Sequence, residues 1–162
     1  MYSLDQKVRS TLGKAFLENS TDNMKLISTM DQFHTEKMKK ILQEHGWINI
    51  FKFGKEADNQ AWLLVQHADH DPLFQAGCAF ILEKLIKLKE TNQLNYAYLY
   101  DRAILKFENL RLKQKYGTQA IRSGNQITLL PYEGDIRELN KRRKTIGLDP
   151  VEKYLDRLTT EY

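Results

Sequence analysis

The sequence predicts a mainly helical α+β fold, a compact bundle of about six or seven helices with one small β-hairpin. Three observations carry this expectation. Apolar residues recur at spacings of three and four through most of the 162 residues. Asp71-Pro72 and Asp149-Pro150 each join a capping side chain to a residue suited to the first helical turn. The period shortens towards two at one place, on either side of Ser123-Gly124-Asn125.

In chain order, residues 3–18 read as a helix with Leu4, Val8, Leu12, Ala15 and Phe16 near one stripe. The polar stretch 18–22 follows, where Ser20 or Thr21 can cap the next helix. Leu26, Ile27, Met30, Phe33, Met38, Ile41 and Leu42 continue a helical pattern, as one long helix or two with a bend near His34 and Thr35 as the second cap. Gly46 ends the run in a left-handed position. Residues 47–54 read as an ordered connection or short strand with a turn at Gly54. Helices are expected over 56–70, from Pro72 to about residue 89, over 96–110, over 135–146 and from Pro150 to about residue 159. The hairpin occupies 116–132 and must pack against helices to be stable. There is no repeat and no long Gly/Ser/Pro linker, so one domain over 1–162 is expected, with 1–21 as an N-terminal helical extension.

Bulk composition excludes several classes. A hydrophobic share of 41% with 28% charged residues is that of a folded chain. The longest apolar runs, 61–65 and 78–82, have five residues against the roughly 20 of a spanning helix. The first sixteen residues carry no apolar signal core, so a cytoplasmic location is expected, with no membrane insertion. The lone cysteine, Cys78, lies in an apolar helical pattern and reads as inert packing. The net charge of +4 is uneven: Arg102, Lys106, Arg111, Lys113, Lys115 and Arg122 face one anion, Glu108, and a second basic run fills 141–144. Such surfaces can meet acidic proteins or anionic ligands; nucleic acid is not the expected partner.

Chemistry concentrates in residues 61–75, AWLLVQHADHDPLFQ. On a helical wheel Ala61, Leu64, Val65 and Ala68 form the core face, and His67 and His70 lie nearly opposite. The two histidines are three apart and can point at one spot, which suits acid–base work, a capped helix end, or a metal shared by His67 and His70. Catalytic zinc needs a third protein ligand that the spacing does not supply, so no cofactor is expected. Tyr98, Asp101 and Arg102 lie within about one turn of each other, either as an ion-pair network or as an arginine that grips an anion. At 114–119, QKYGTQ, the helical pattern hands over to the hairpin; Tyr116, Thr118 and Gln119 offer hydrogen bonds to a ligand or to the local backbone.

The succession AWLLVQHADHDPLFQ, AYLYDR and KQKYGTQ, with Gly46-Trp47 before it and RRKTIGLDPVEKYL after it, resembles an uncharacterised bacterial domain family over about residues 22–156. The resemblance implies a shared polar set, Trp47, Gln66, His67, Asp69, Asp101, Arg102, Gln114, Tyr116, Gly117, Thr118 and Gln119, but no reaction. Ile48 stands where a proline is usual, and the hairpin has its own composition. Two function classes follow. In the first, a polar pocket binds a small anionic or phosphorylated ligand, with hydrolysis or group transfer as its chemistry. His67 is the acid–base group, with Asp69 or Asp101 orienting it. Arg102 holds the anion, Tyr116 and Gln119 position it, and Trp47, Gln66, Gln114 and Thr118 line the site. In the second, the chain is a non-enzymatic interaction module, an effector, inhibitor or immunity-type partner, whose polar motif is a structural network and whose basic surfaces meet an acidic protein.

Overall fold

A computed structural model of the chain describes residues 1–15, 21–124 and 126–160, leaving out the side chains of 12–15. Expectations for Leu12, Ala15, Phe16, Ser20 and Asn125 fall outside it. The described residues form seven α-helices and a hairpin: α1 (Tyr2–Ala15), α2 (Thr21–His45), α3 (Ile50–Gln66), α4 (Pro72–Lys87), α5 (Gln93–Ile104), β1 (Ala120–Ser123), β2 (Gln126–Leu129), α6 (Ile136–Thr145) and α7 (Val151–Thr160). Among these residues no helix is long and apolar enough to cross a membrane.

The expected starts and stops hold where a side chain enforces them. Asp71 accepts from the Phe74 amide at 3.0 Å and Pro72 opens α4. Asp135 and Glu138 close a reciprocal capping box on α6. Gly46 takes a left-handed φ of 70° after α2. Elsewhere packing overrides local preference. Helix α2 is continuous, and Thr35 does not cap; its Oγ1 donates to the Asp31 carbonyl one turn back at 2.8 Å. The connection after Trp47 is largely helical: α3 starts at Ile50, capped by Asn49, and is interrupted at Gly54, whose φ of 85° an L-residue adopts only with strain.

The main core gathers Met38, Trp47, Leu64, Val65, Cys78, Leu82 and Leu99 from α2 to α5. Helices α4 and α5 make the most extensive pairing, and α3 runs between them and the α1–α2 layer. A smaller core of Leu139, Val151 and Tyr154 lies under the hairpin, with Leu129 and Tyr132 against it. The strands pair antiparallel, Ala120 opposite Leu129 and Ser123 opposite Gln126. Burial pushes the Cys78 thiol up to about 12, the behaviour of a packing residue. Of the described residues of the α1 stripe, Leu4 is 55% exposed and Val8 half-buried, whereas Asp5 beside them is fully covered. A carboxylate takes the inward position because charged partners meet it there.

Candidate functional site

The site starts from how α3 stops. The helix ends at Gln66, and His67 is its C-cap, with its N–H still bonded to the Leu63 carbonyl at 3.2 Å. Residues 67–71 then form a tight turn, with the Ala68 amide on the Val65 carbonyl at 3.0 Å and the Asp71 amide on the Ala68 carbonyl at 2.9 Å. Gln75, buried in the first turn of α4, donates to the Val65 and Gln66 carbonyls at 3.3 and 2.9 Å and to Asp69 at 3.3 Å. It gives a donor to the Gln66 carbonyl at the end of α3 and adds a second to the Val65 carbonyl. His67 and His70 therefore lie on a turn, not on one helix face as the wheel expected.

From this turn His67 faces the N-terminal helix. Its Nδ1 lies 3.3 Å from Asp5 Oδ1, with the direction of donation set by the tautomer. Asp5 also accepts from Arg9 Nε at 3.0 Å and Gln6 Nε2 at 2.7 Å. The second arm of Arg9 donates to Asp31 of α2, so one guanidinium joins two carboxylates. His34, 2% exposed, brings Nδ1 to 4.0 Å from Asp5 Oδ1, and that nitrogen has no hydrogen-bond partner. His67, Asp31, Asp69 and His70 line a cavity of about 220 Å³ with Met24, Ile27 and Ser28.

The electrostatics separate the two bridged carboxylates. Burial would raise Asp5, but the His67 hydrogen bond and charge, with Gln6 and Arg9, outweigh it and hold the carboxyl down at about 2. Burial raises Asp31 above its ordinary value; Arg9 and His67 pull against it without cancelling it, and the Asp5 charge adds to the rise. Burial lowers His34, opposed by Asp5. Neighbouring acids pushed in opposite directions are a recurring feature of acid–base sites.

The other residues singled out by sequence go to different places. Asp69 is opposed by burial, but Arg102 grips it at 2.7 and 2.5 Å, and with Lys106 at 3.9 Å keeps it below the ordinary carboxylate range. Arg102 is thus engaged with Asp69. Asp101 does not reach His67: fully buried, it accepts from the Lys115, Tyr116 and Thr118 amides at 2.8, 3.1 and 3.0 Å and from the Thr118 hydroxyl at 3.0 Å. Gln114 closes the same loop, donating to the Gln119 and Leu130 carbonyls at 2.9 and 2.8 Å and accepting from the Gln119 amide at 2.7 Å. The Tyr154 hydroxyl donates to the Thr118 carbonyl at 2.7 Å. The basic run 141–144 also turns inward in part. Arg143 is buried and donates to the Tyr116, Gly117 and Asp149 carbonyls, because its planar fork fits several at once.

Trp47 donates from Nε1 to the buried Asp58 at 2.7 Å, and Gln66 keeps a buried Oε1 without a partner. A larger cavity of about 580 Å³ lies beside Asp58, between the start of α3 and the α4–α5 connection. Its carboxylate is already held by Trp47, Thr91 at 2.8 Å and the Asn92 amide at 3.3 Å.

Asp5, Arg9, Asp31, His34 and Gln75 were not singled out by the sequence. A signal for two of them, Asp31 and His34, existed. Met30, His34 and Met38 are spaced by four, and Asp31, Thr35 and Met38 by four and three, so polar residues stand in the inward stripe of α2. Asp5 and Arg9, one turn apart, carry no comparable mark, because an i,i+4 ion pair is equally at home on a solvated face. Compared with known proteins, the chain matches over residues 1–162 the model of a family described as of unknown function, DUF6624. The match takes in α1, which the sequence had placed outside the resemblance. No curated protein and no solved structure matches.

Proposed function

For a chain that belongs to DUF6624, a family of unknown function, we propose an acid–base site for a small anionic ligand, at the cavity where α1, α2 and the turn after α3 meet. The observation that carries this reading is the buried Asp5 carboxylate 3.3 Å from Nδ1 of His67, while His67 itself lines the cavity. An orienting carboxylate on one ring nitrogen fixes the tautomer and leaves the other free to exchange a proton with a ligand or a water. Asp31, with its raised pKa, supplies a second proton-transfer group in the same cavity. The reaction class that fits is hydrolysis or group transfer. Arg9, Arg102 and Lys106 surround Asp31 and Asp69 at its edge, and a ligand anion competes with those carboxylates for them. In this reading Asp69 shapes the turn with Arg102. Trp47, bonded to the buried Asp58, and Asp101, Gln114, Thr118 and Gln119, bonded to one another and to backbone that includes the Tyr116 amide, are scaffold.

The test is a ligand screen by thermal shift on wild type, His67→Ala and Asp31→Asn. A small anion that stabilises the wild type and neither variant supports the site. Ligands that stabilise all three equally refute it. The closed network around Asp101 favours a second reading, an interaction module, together with large apolar side chains left in solvent at Phe51, Leu73, Phe80 and Leu88. A partner whose binding survives His67→Ala and Asp31→Asn and is lost on Phe51→Ser or Leu73→Ser would decide for that class.

A further inference from the structure

We propose that the same cluster binds one divalent transition-metal ion through Asp5, Asp31 and His67, with His34 completing the set. The inference rests on reading this junction as the functional site, but it does not require His67 to act as a base.

Three observations lead to it. One ligand atom each from Asp5, Asp31 and His67 lie within 4.8 Å of one another. Bonds of about 2.0–2.2 Å to a shared ion would draw such atoms somewhat closer, a contraction that side-chain rotation can supply. Next, Nδ1 of His34 is buried, unpartnered and 4.0 Å from Asp5 Oδ1. A buried ring nitrogen without a partner is costly, and a metal bond would satisfy it. Last, Arg9 already bridges Asp5 and Asp31, so the two carboxylates are arranged around one cation. Arg9 leaves His34 unsatisfied, however, and its side chain is 26% exposed, with solvent into which the guanidinium can withdraw.

Mixed imidazole and carboxylate donors select the ion class. Two carboxylates and two neutral imidazoles suit Zn²⁺, Mn²⁺ or Fe²⁺ rather than the all-oxygen preference of Mg²⁺ or Ca²⁺. Neither His34 nor His70 is among the three residues whose ligand atoms converge; His34 is included because its buried, unpartnered Nδ1 lies 4.0 Å from Asp5 Oδ1, whereas His70 only lines the cavity and is excluded.

The experiment titrates the chelator-treated full chain with Zn²⁺ by calorimetry and with Co²⁺ by visible absorption. Wild type, Asp31→Asn, His34→Ala, His70→Ala and Arg9→Gln are compared, each first checked for a native circular-dichroism spectrum. The expected result is one equivalent bound by wild type and by His70→Ala. Asp31→Asn and His34→Ala weaken binding about tenfold or more. Arg9→Gln tightens it, because the competing guanidinium is gone. Several results overturn the proposal: no binding by wild type, unchanged affinity in both ligand variants, loss of binding in His70→Ala, or weaker binding in a folded Arg9→Gln. If no metal binds while Asp31→Asn still abolishes the anion-dependent thermal shift, the metal site fails and the acid–base reading stands. If metal binds as expected and no anion responds to His67, the reverse holds.

Discussion

Asp5→Asn isolates the charge that organises the α1–α2–α3 junction. The substitution keeps the shape of the side chain and removes its negative charge, so Arg9 and His67 lose their shared partner. The Asp5 carboxyl moves from an ordinary 3.8 to about 2 on folding. A shift of that size corresponds to about 2 kcal/mol of stability at neutral pH. Asp5 itself is covered, but its partners Arg9 and His67 are 26% and 17% exposed, so this figure is an upper value. The sign follows from the lowered pKa: the unfolded chain binds the proton more readily, so the contribution is complete above pH 3.8 and is lost as pH falls through about 2. Urea denaturation of both proteins across this range is the assay. At pH 7 the variant should be less stable by up to about 2 kcal/mol, a fall in Tm of roughly 4–8 °C at most. The gap should close as pH drops towards 2. A gap that stays constant with pH, or none at pH 7, would refute the argument that a charged Asp5 holds the junction.

Three further outcomes are expected. Asp101→Ala leaves three amides without their acceptor and the Thr118 hydroxyl without the group it donates to, and should cost on the order of 3–5 kcal/mol in chemical denaturation; a loss under about 1 kcal/mol would contradict the network. Gly117→Ala must hold a φ of 61° and place its Cβ 3.1 Å from Leu139 Cδ2, so a destabilisation of about 1–2 kcal/mol is expected. Cys78, with its thiol pushed up to about 12, should react with a thiol reagent only as fast as the protein unfolds; rapid labelling of the native chain would refute its burial.

The fold was largely legible before the structure, because it rests on local chemistry. Helix spacing, Asp71-Pro72, Asp135 with Glu138, and the glycines at 46 and 147 act within a few residues, and they set where helices start and stop. His67 and Asp69 were also visible as a dense polar motif. Their partners were not. The orienting carboxylates expected from sequence were Asp69 and Asp101, yet Asp69 faces Arg102, Asp101 faces the amides of 115–118, and Asp5 faces His67 across 62 positions. The wheel placed His67 and His70 on one helix face, but α3 stops at Gln66 once Gln75 and the Asp71 cap define the turn.

By itself, then, the sequence determined the helical class and the hairpin, since these depend on periodicity and capping, and it marked out the dense polar stretch 61–75. Tertiary structure alone decided which charges meet. An ion pair such as Arg9 with Asp5 carries the same local signature on a solvated face as in a covered junction. Packing α1 onto α2 and α3 took Asp5 out of water, and only then did His67, Arg9 and His34 gather round its carboxylate, with Asp31 on the far arm of Arg9.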